Sequence, residues 1–215
     1  MPEKAPHKKI RGLYAVIDTV YVKPGDVQKV ALELMSGGAR IIQLRAKGRG
    51  SGEVLGMAKA LKAVTEKRGV TFIVNDRVDV ALMCGAEGVH LGQEDIPVEE
   101  ARRLLGIYAV IGLSTHSLEE AMDADKTSAD YISFGPVFPT GTKKDARPAK
   151  GVEALREVVR LSKKPVVAIG GITEERLEEV LDAGADSVAM ISGILLSDDI
   201  AAKVSSIAAG IKKFI

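Results

Sequence analysis

Short apolar runs rich in β-branched residues recur along the chain, separated by longer stretches whose apolar positions repeat with a period near 3.6. The runs fall at residues 13–17, 40–44, 71–74, 88–91, 109–113, 131–134, 165–169 and 187–191. Several are apolar almost throughout, as expected of parallel strands buried on both faces. The clearest helical spacing lies at 54–66, 151–161 and 174–181. Eight strand–helix alternations predict an α/β fold, a closed (β/α)8 barrel of the TIM type in a single domain. Gly38-Ala39, Gly85-Ala86-Glu87, Ser128-Ala129-Asp130 and Gly184-Ala185-Asp186 each stand between a predicted helix and a predicted strand. Glycine ends a helix through a left-handed cap, and the spacing of about two βα units reads as a four-quarter barrel. The competing open doubly wound sheet would carry a dinucleotide fingerprint after the first strand, and the sequence has none there.

Composition narrows the class of partner. The 215 residues are 46% hydrophobic and 27% charged, ordinary for a globular domain. Thirty basic and 29 acidic residues leave a net charge of +1, without the excess a nucleic-acid surface needs. No run approaches the roughly 20 apolar residues of a membrane span. Residues 1–11 are basic, lack the apolar stretch of a signal peptide, and read as a flexible N-terminal tail of the single domain 1–215. The expected location is cytoplasmic and the expected partners are phosphorylated small molecules. A homo-oligomer is compatible with the sequence. Cys84 is the lone cysteine, so no internal disulfide forms, and at the end of the apolar run Val80-Ala81-Leu82-Met83 it reads as a small buried hydrophobe. Asn75 is the only asparagine, and Gln28, Gln43 and Gln93 are the only glutamines. A Lys/Glu-rich, amide-poor chain has the composition of heat-adapted proteins, which makes the few amides informative.

Barrel enzymes place their chemistry where strands end, and the polar residues gather there. The second strand is followed by Arg45 and Lys47, the third by Asn75-Asp76-Arg77, and the fourth by Gln93-Glu94-Asp95. The fifth leads into Ser114-Thr115-His116 and the sixth into Thr140-Gly141-Thr142-Lys143. Asp76 and Asp95 together offer the oxygen ligands Mg²⁺ takes alongside phosphate and water. Either could instead cap the helix that follows it. Arg45, Lys47 and Lys143 could clamp a diphosphate. Arg45 adjoins a buried strand, so its charge must find a partner. Gly170-Gly171 paired with Ser192-Gly193 matches the phosphate-binding loops after strands seven and eight; a plain tight turn is the alternative. His90 alternates inward and reads as a barrel-interior residue, while His116 could orient a ligand or bond its own loop. No histidine pair has metal-ligand spacing.

The chain from about residue 13 to residue 196 resembles the thiamine phosphate synthase family. The resemblance rests on Gln43 to Lys47 (QLRAK), Asn75 to Arg77 (NDR), Val89 to Asp95 (VHLGQED), Ile111 to His116 (IGLSTH), Gly135 to Lys143 (GPVFPTGTK) and Val166 to Ile172 (VVAIGGI). One departure is Ile17 before Asp18, where the family often has Thr. The resemblance implies a transferase that joins a hydroxymethylpyrimidine diphosphate to a thiazole phosphate and releases pyrophosphate. It further implies Mg²⁺ on Asp76 and Asp95, and diphosphate oxygens on Arg45, Lys47, Lys143 and Ser114. Gln43 and Asn75 would bond the pyrimidine or the diphosphate. Thr140, Thr142, Gly171, Ile191 and Ser192 would form the thiazole phosphate pocket. Residues 144–150 read as a mobile lid. A thiazole tautomerase on the same barrel would need neither the aspartate pair nor the Arg45–Lys47 clamp. A phosphosugar isomerase would need an acid/base pair that the strand ends do not offer, and a non-catalytic phosphometabolite sensor would release no pyrophosphate.

Overall fold

The computed structural model describes residues 10–141 and 148–214. Eight parallel strands close into a barrel in chain order. They are β1 (Gly12–Asp18), β2 (Ile41–Arg45), β3 (Thr71–Asn75), β4 (Gly88–Leu91), β5 (Val110–Thr115), β6 (Tyr131–Phe134), β7 (Val166–Ile169) and β8 (Ser187–Met190). Between them run α1 (Val27–Ser36), α2 (Ser51–Thr65), α3 (Val78–Cys84), α4 (Val98–Leu105), α5 (Leu118–Ala124), α6 (Val152–Leu161) and α7 (Leu177–Asp182). A four-residue helix, α8 (Ser192–Leu195), and a terminal helix, α9 (Ile200–Ile211), follow β8. The expected barrel is present. Gly85 caps α3 at φ 67, and Gly38 and Gly184 also have positive φ, as the interrupting glycines required.

Successive strand residues face opposite sides of the sheet. One set, including Ala15, Ile42, Val74, Ile111 and Val188, packs under the helices in the larger core. The other set points into the barrel, where Tyr14, Val16, Ile41, Ile73, Val110, Tyr131, Val167 and Ala189 form a second cluster. Ile10, placed in the expected tail, belongs to that inner cluster and is fully buried; residues 1–9 lie outside the described residues.

Several boundaries differ from the sequence expectation, three of them at strand ends that carry site residues. β2 runs on to Arg45, β3 to Asn75 and β5 to Thr115, so Arg45, Asn75 and Ser114 stand on strands, not after them. Polar side chains there face the barrel interior while the backbone keeps pairing, as in Asp18↔Arg45 and Ser114↔Ser133. No helix among the described residues is long and apolar enough to cross a membrane.

Candidate active site

Along the inward-facing positions, polarity rises toward the C-terminal ends of the strands. On β2 the inward sequence is Ile41, Gln43, Arg45; on β3 it is Thr71, Ile73, Asn75; on β5 it is Val110, Gly112, Ser114. The result is a cleft of about 430 Å³ lined by polar and apolar side chains together. Of the expected site residues, Gln43, Arg45, Lys47, Asn75, Asp76, Asp95, Ser114, Thr140, Gly171, Ile191 and Ser192 all line it. Thr142 and Lys143, and residues 144–147 of the expected lid, lie outside the described residues. The last residue of that segment, Lys150, donates its backbone N–H to the Pro136 carbonyl at 2.8 Å.

Arg45 finds its partner inside the barrel. Its Nη1 lies 2.6 Å from Asp18 Oδ2, with the Asp18 side chain fully buried and that of Arg45 9% exposed. Asp18 Oδ1 also accepts from the Val20 backbone N–H at 3.0 Å. Asp18 entered the sequence reading only as the neighbour of Ile17. Its signal was parity, for it shares the inward register of Tyr14 and Val16. The cleft therefore meets a cation already paired with a buried carboxylate and held on a strand.

The two aspartates come together at the mouth. Asp76 has φ 63, the left-handed region, where a non-glycine residue costs roughly 1–2 kcal/mol. Its backbone N–H is tied to the His90 carbonyl at 2.8 Å, and its Oδ2 lies 3.3 Å from Lys47 Nζ. Burial and a direct contact with the Asp95 carboxylate push the Asp76 carboxyl above its usual range, against the pull of Lys47. Neither residue caps a helix. The N-caps of α3 and α4 are Arg77 and Pro97, without side-chain cap bonds. Asp95 Oδ2 instead accepts from the Gly92 N–H at 2.6 Å, closing its own loop. Two carboxylates forced together in a half-buried cleft favour a cation between them. No group of three or more His, Cys, Asp or Glu among the described residues could hold a metal alone, so a divalent ion here would need further oxygens from a ligand.

Opposite this pair, Gly170 and Gly171 both have positive φ. A Cβ on Gly171 would meet the Pro139 carbonyl oxygen at 2.5 Å, and one on Gly170 would meet Pro136 Cβ at 2.4 Å. These glycines serve the packing of the loop after β7 against the loop after β6, a use the tight-turn alternative did not include. Arg176 fixes the same corner, stacking 4.5 Å over the Phe138 ring and donating to the Gly171 carbonyl at 3.0 Å. Sequence reading missed it, because its position follows from a contact between two loops. Ser192 begins the short helix α8 beside them.

His116 is taken up locally. Its Nδ1 lies 2.9 Å from Glu120 Oε2, which also accepts its backbone N–H, while Ser117 Oγ caps α5 through the Glu120 N–H. Cys84 is half-buried and its thiol is pushed up by burial. Gln93 donates to the Ser114 carbonyl at 2.6 Å. His90 faces the barrel interior, within hydrogen-bond reach of Tyr131 and Ser114. Tyr14, which lines the cleft, and Tyr131, buried beside it, were not singled out from the sequence, since a tyrosine in an apolar strand reads as core.

The family model described as thiamine monophosphate synthase matches residues 13–194. A thiamine-phosphate synthase of Persephonella marina is 45% identical, over 87% of this chain and 90% of its own length. One from Methanocella arvoryzae is also 45% identical, over 94% of this chain and 95% of that protein. Among solved structures, a thiamine phosphate pyrophosphorylase from Pyrococcus furiosus superposes with a TM-score of 0.86 at 38% identity, covering 97% of this chain and 98% of that one. With the family model matched over most of the chain and the strand-end motifs gathered in one cleft, the chain belongs to the thiamine monophosphate synthase family of enzymes.

Proposed function

We propose that the protein is a transferase of thiamine biosynthesis that couples 4-amino-2-methyl-5-hydroxymethylpyrimidine diphosphate to 4-methyl-5-(2-phosphooxyethyl)thiazole, with Mg²⁺, yielding thiamine phosphate and pyrophosphate. The observation that carries this reading is the contact of Asp76 with Asp95, beside Lys47 and one strand from the buried Arg45. Asp76 and Asp95 would hold Mg²⁺. When bound, the ion supplies positive charge against the departing diphosphate, a contribution of several kcal/mol in comparable sites. Arg45 and Lys47 pair with diphosphate oxygens, and Ser114 donates to them from β5.

The reaction asks little else of the chain. The bond from the pyrimidine methylene to the diphosphate oxygen breaks, and its electron pair leaves with the diphosphate. The electron-rich aminopyrimidine carries the positive charge until the thiazole nitrogen forms the new C–N bond with its lone pair. No proton is removed, so no general base is required. Thr140, Gly171, Ile191 and Ser192, on the other side of the cleft, suit the phosphate of the thiazole, at the loops after strands seven and eight where barrels bind phosphate. Holding both rings in line removes roughly 7–11 kcal/mol of barrier in favourable cases.

The test mixes both substrates with Mg²⁺ and measures pyrophosphate, with and without chelator, for the natural sequence and for Asp76→Ala and Asp95→Ala. Release that stops with chelator and in both variants is expected. Release that persists in both variants would refute the metal assignment, and no release from the natural sequence would refute the activity.

A further inference from the structure

An unbroken line of side-chain hydrogen bonds crosses the cleft floor from β2 to β5. Gln43 Nε2 donates to Tyr14 Oη at 2.8 Å. Tyr14 Oη and Tyr131 Oη lie 2.9 Å apart, Tyr131 Oη lies 2.9 Å from His90 Nδ1, and His90 Nε2 lies 2.9 Å from Ser114 Oγ. Ser133 Oγ stands at 3.3 Å from the same Nε2. Both tyrosines are buried, which pushes their ionisation upward and keeps each hydroxyl proton in place. Space for the line is made by Gly112, where a Cβ would sit 2.1 Å from Tyr131 Cζ and 2.4 Å from His90 Nδ1.

Each hydroxyl has one proton to give, so the line has a direction. Tyr14, having accepted from Gln43, gives its proton to Tyr131. Tyr131 gives its own to His90 Nδ1, which must then be bare, with the ring proton on Nε2. That proton goes to Ser114 Oγ, whose own hydrogen remains for the cleft. The reverse direction would spend the Ser114 proton on His90 and turn oxygen lone pairs toward the anionic group proposed to sit there. It would also turn the Gln43 NH₂ group into the cleft.

We propose that Gln43, Tyr14, Tyr131, His90 and Ser114 form a one-way hydrogen-bond chain that fixes His90 as its Nε2–H tautomer, so that the cleft presents an acceptor at the Gln43 carbonyl and a donor at Ser114. Tyr14 and Tyr131 are positioning residues in this arrangement. A ring that carries an amino group where it meets Gln43 is accepted, and its oxo counterpart is met by facing lone pairs. The choice of ring rests on the proposed function; the tautomer follows from Gln43 Nε2 donating to Tyr14 Oη.

Two measurements test it. Nitrogen-15 NMR of the ligand-free protein reads the His90 ring directly, and a proton on Nε2 alone is expected. A proton on Nδ1, alone or with Nε2, would overturn the chain. In Tyr131→Phe, which removes the donor to Nδ1, the ring should become a mixture of tautomers; an unchanged ring would overturn the role of Tyr131. Calorimetry then compares the 4-amino-2-methyl-5-hydroxymethylpyrimidine diphosphate with its 4-oxo analogue. In Tyr14→Phe the Gln43 amide is free to turn, and the preference for the amino ring should fall about tenfold, the scale of one unmatched buried hydrogen-bonding group. An unchanged preference would overturn the selection. A cleft that bound neither ring would refute the proposed function, leaving the chain to be judged by the NMR result.

Discussion

Replacing Asp18 by asparagine keeps the side-chain shape and removes the charge that faces Arg45. The ion pair is 2.6 Å long, and its two side chains are 0% and 9% exposed, so water cannot take over the lost interaction without a rearrangement of the cleft. Removing one partner of such a buried pair costs about 3–5 kcal/mol. For a chain of this length, each kcal/mol moves the melting temperature by about 2–4 °C, so Asp18→Asn should melt about 6–20 °C lower. The uncompensated Arg45 should then attract an anion more strongly than before. Inorganic pyrophosphate with Mg²⁺ present should raise the melting temperature of the variant more than that of the natural sequence at the same concentration, because saturation to about 100 times Kd adds about 2.7 kcal/mol. Scanning fluorimetry with and without pyrophosphate reads both effects. A loss under about 1 kcal/mol, or identical pyrophosphate shifts in the two proteins, would refute the view that Asp18 compensates Arg45.

Asp76→Asn tests the crowded carboxylates. A carboxyl raised in the fold stabilises it most when protonated and loses that advantage as pH rises through its folded value, so near neutrality the ionised Asp76 is a burden. The variant should melt higher than the natural sequence without Mg²⁺ and gain nothing when Mg²⁺ is added; a lower melting temperature at pH 7 would contradict this. Gly171→Ala forces a Cβ to within 2.5 Å of the Pro139 carbonyl at φ 62, a left-handed position costing roughly 1–2 kcal/mol before any clash. Its KM for the thiazole phosphate should rise while that for the pyrimidine diphosphate changes little, and equal rises would place the glycine elsewhere in function. Burial raises the Cys84 thiol, so iodoacetamide should label it more slowly at pH 8 than a small free thiol, with a rate that climbs as pH rises. Labelling as fast as the free thiol would show the site to be open.

The hydrophobic pattern carried the barrel unaided. Strand periodicity and the glycines that end helices are local properties, and eight repeats of one unit leave few ways to bury both faces of a parallel sheet. Most of the cleft was legible for a similar reason, since in such a barrel a polar residue at a strand end has one rim to face. Tertiary structure decided which polar groups satisfy one another. Arg45 declared a need for a partner, but Asp18 lies 27 residues away in sequence, on the neighbouring strand. Tyr14 and Tyr131, 117 residues apart, touch only because the barrel closes. Asp76 and Asp95 looked equally able to cap helices, and only the folded barrel shows the two carboxylates in contact, with Asp76 in a left-handed turn. A side chain's need for a hydrogen bond or a countercharge is written in its residue type, whereas the group that meets it is fixed by distances that exist only after the chain has closed on itself.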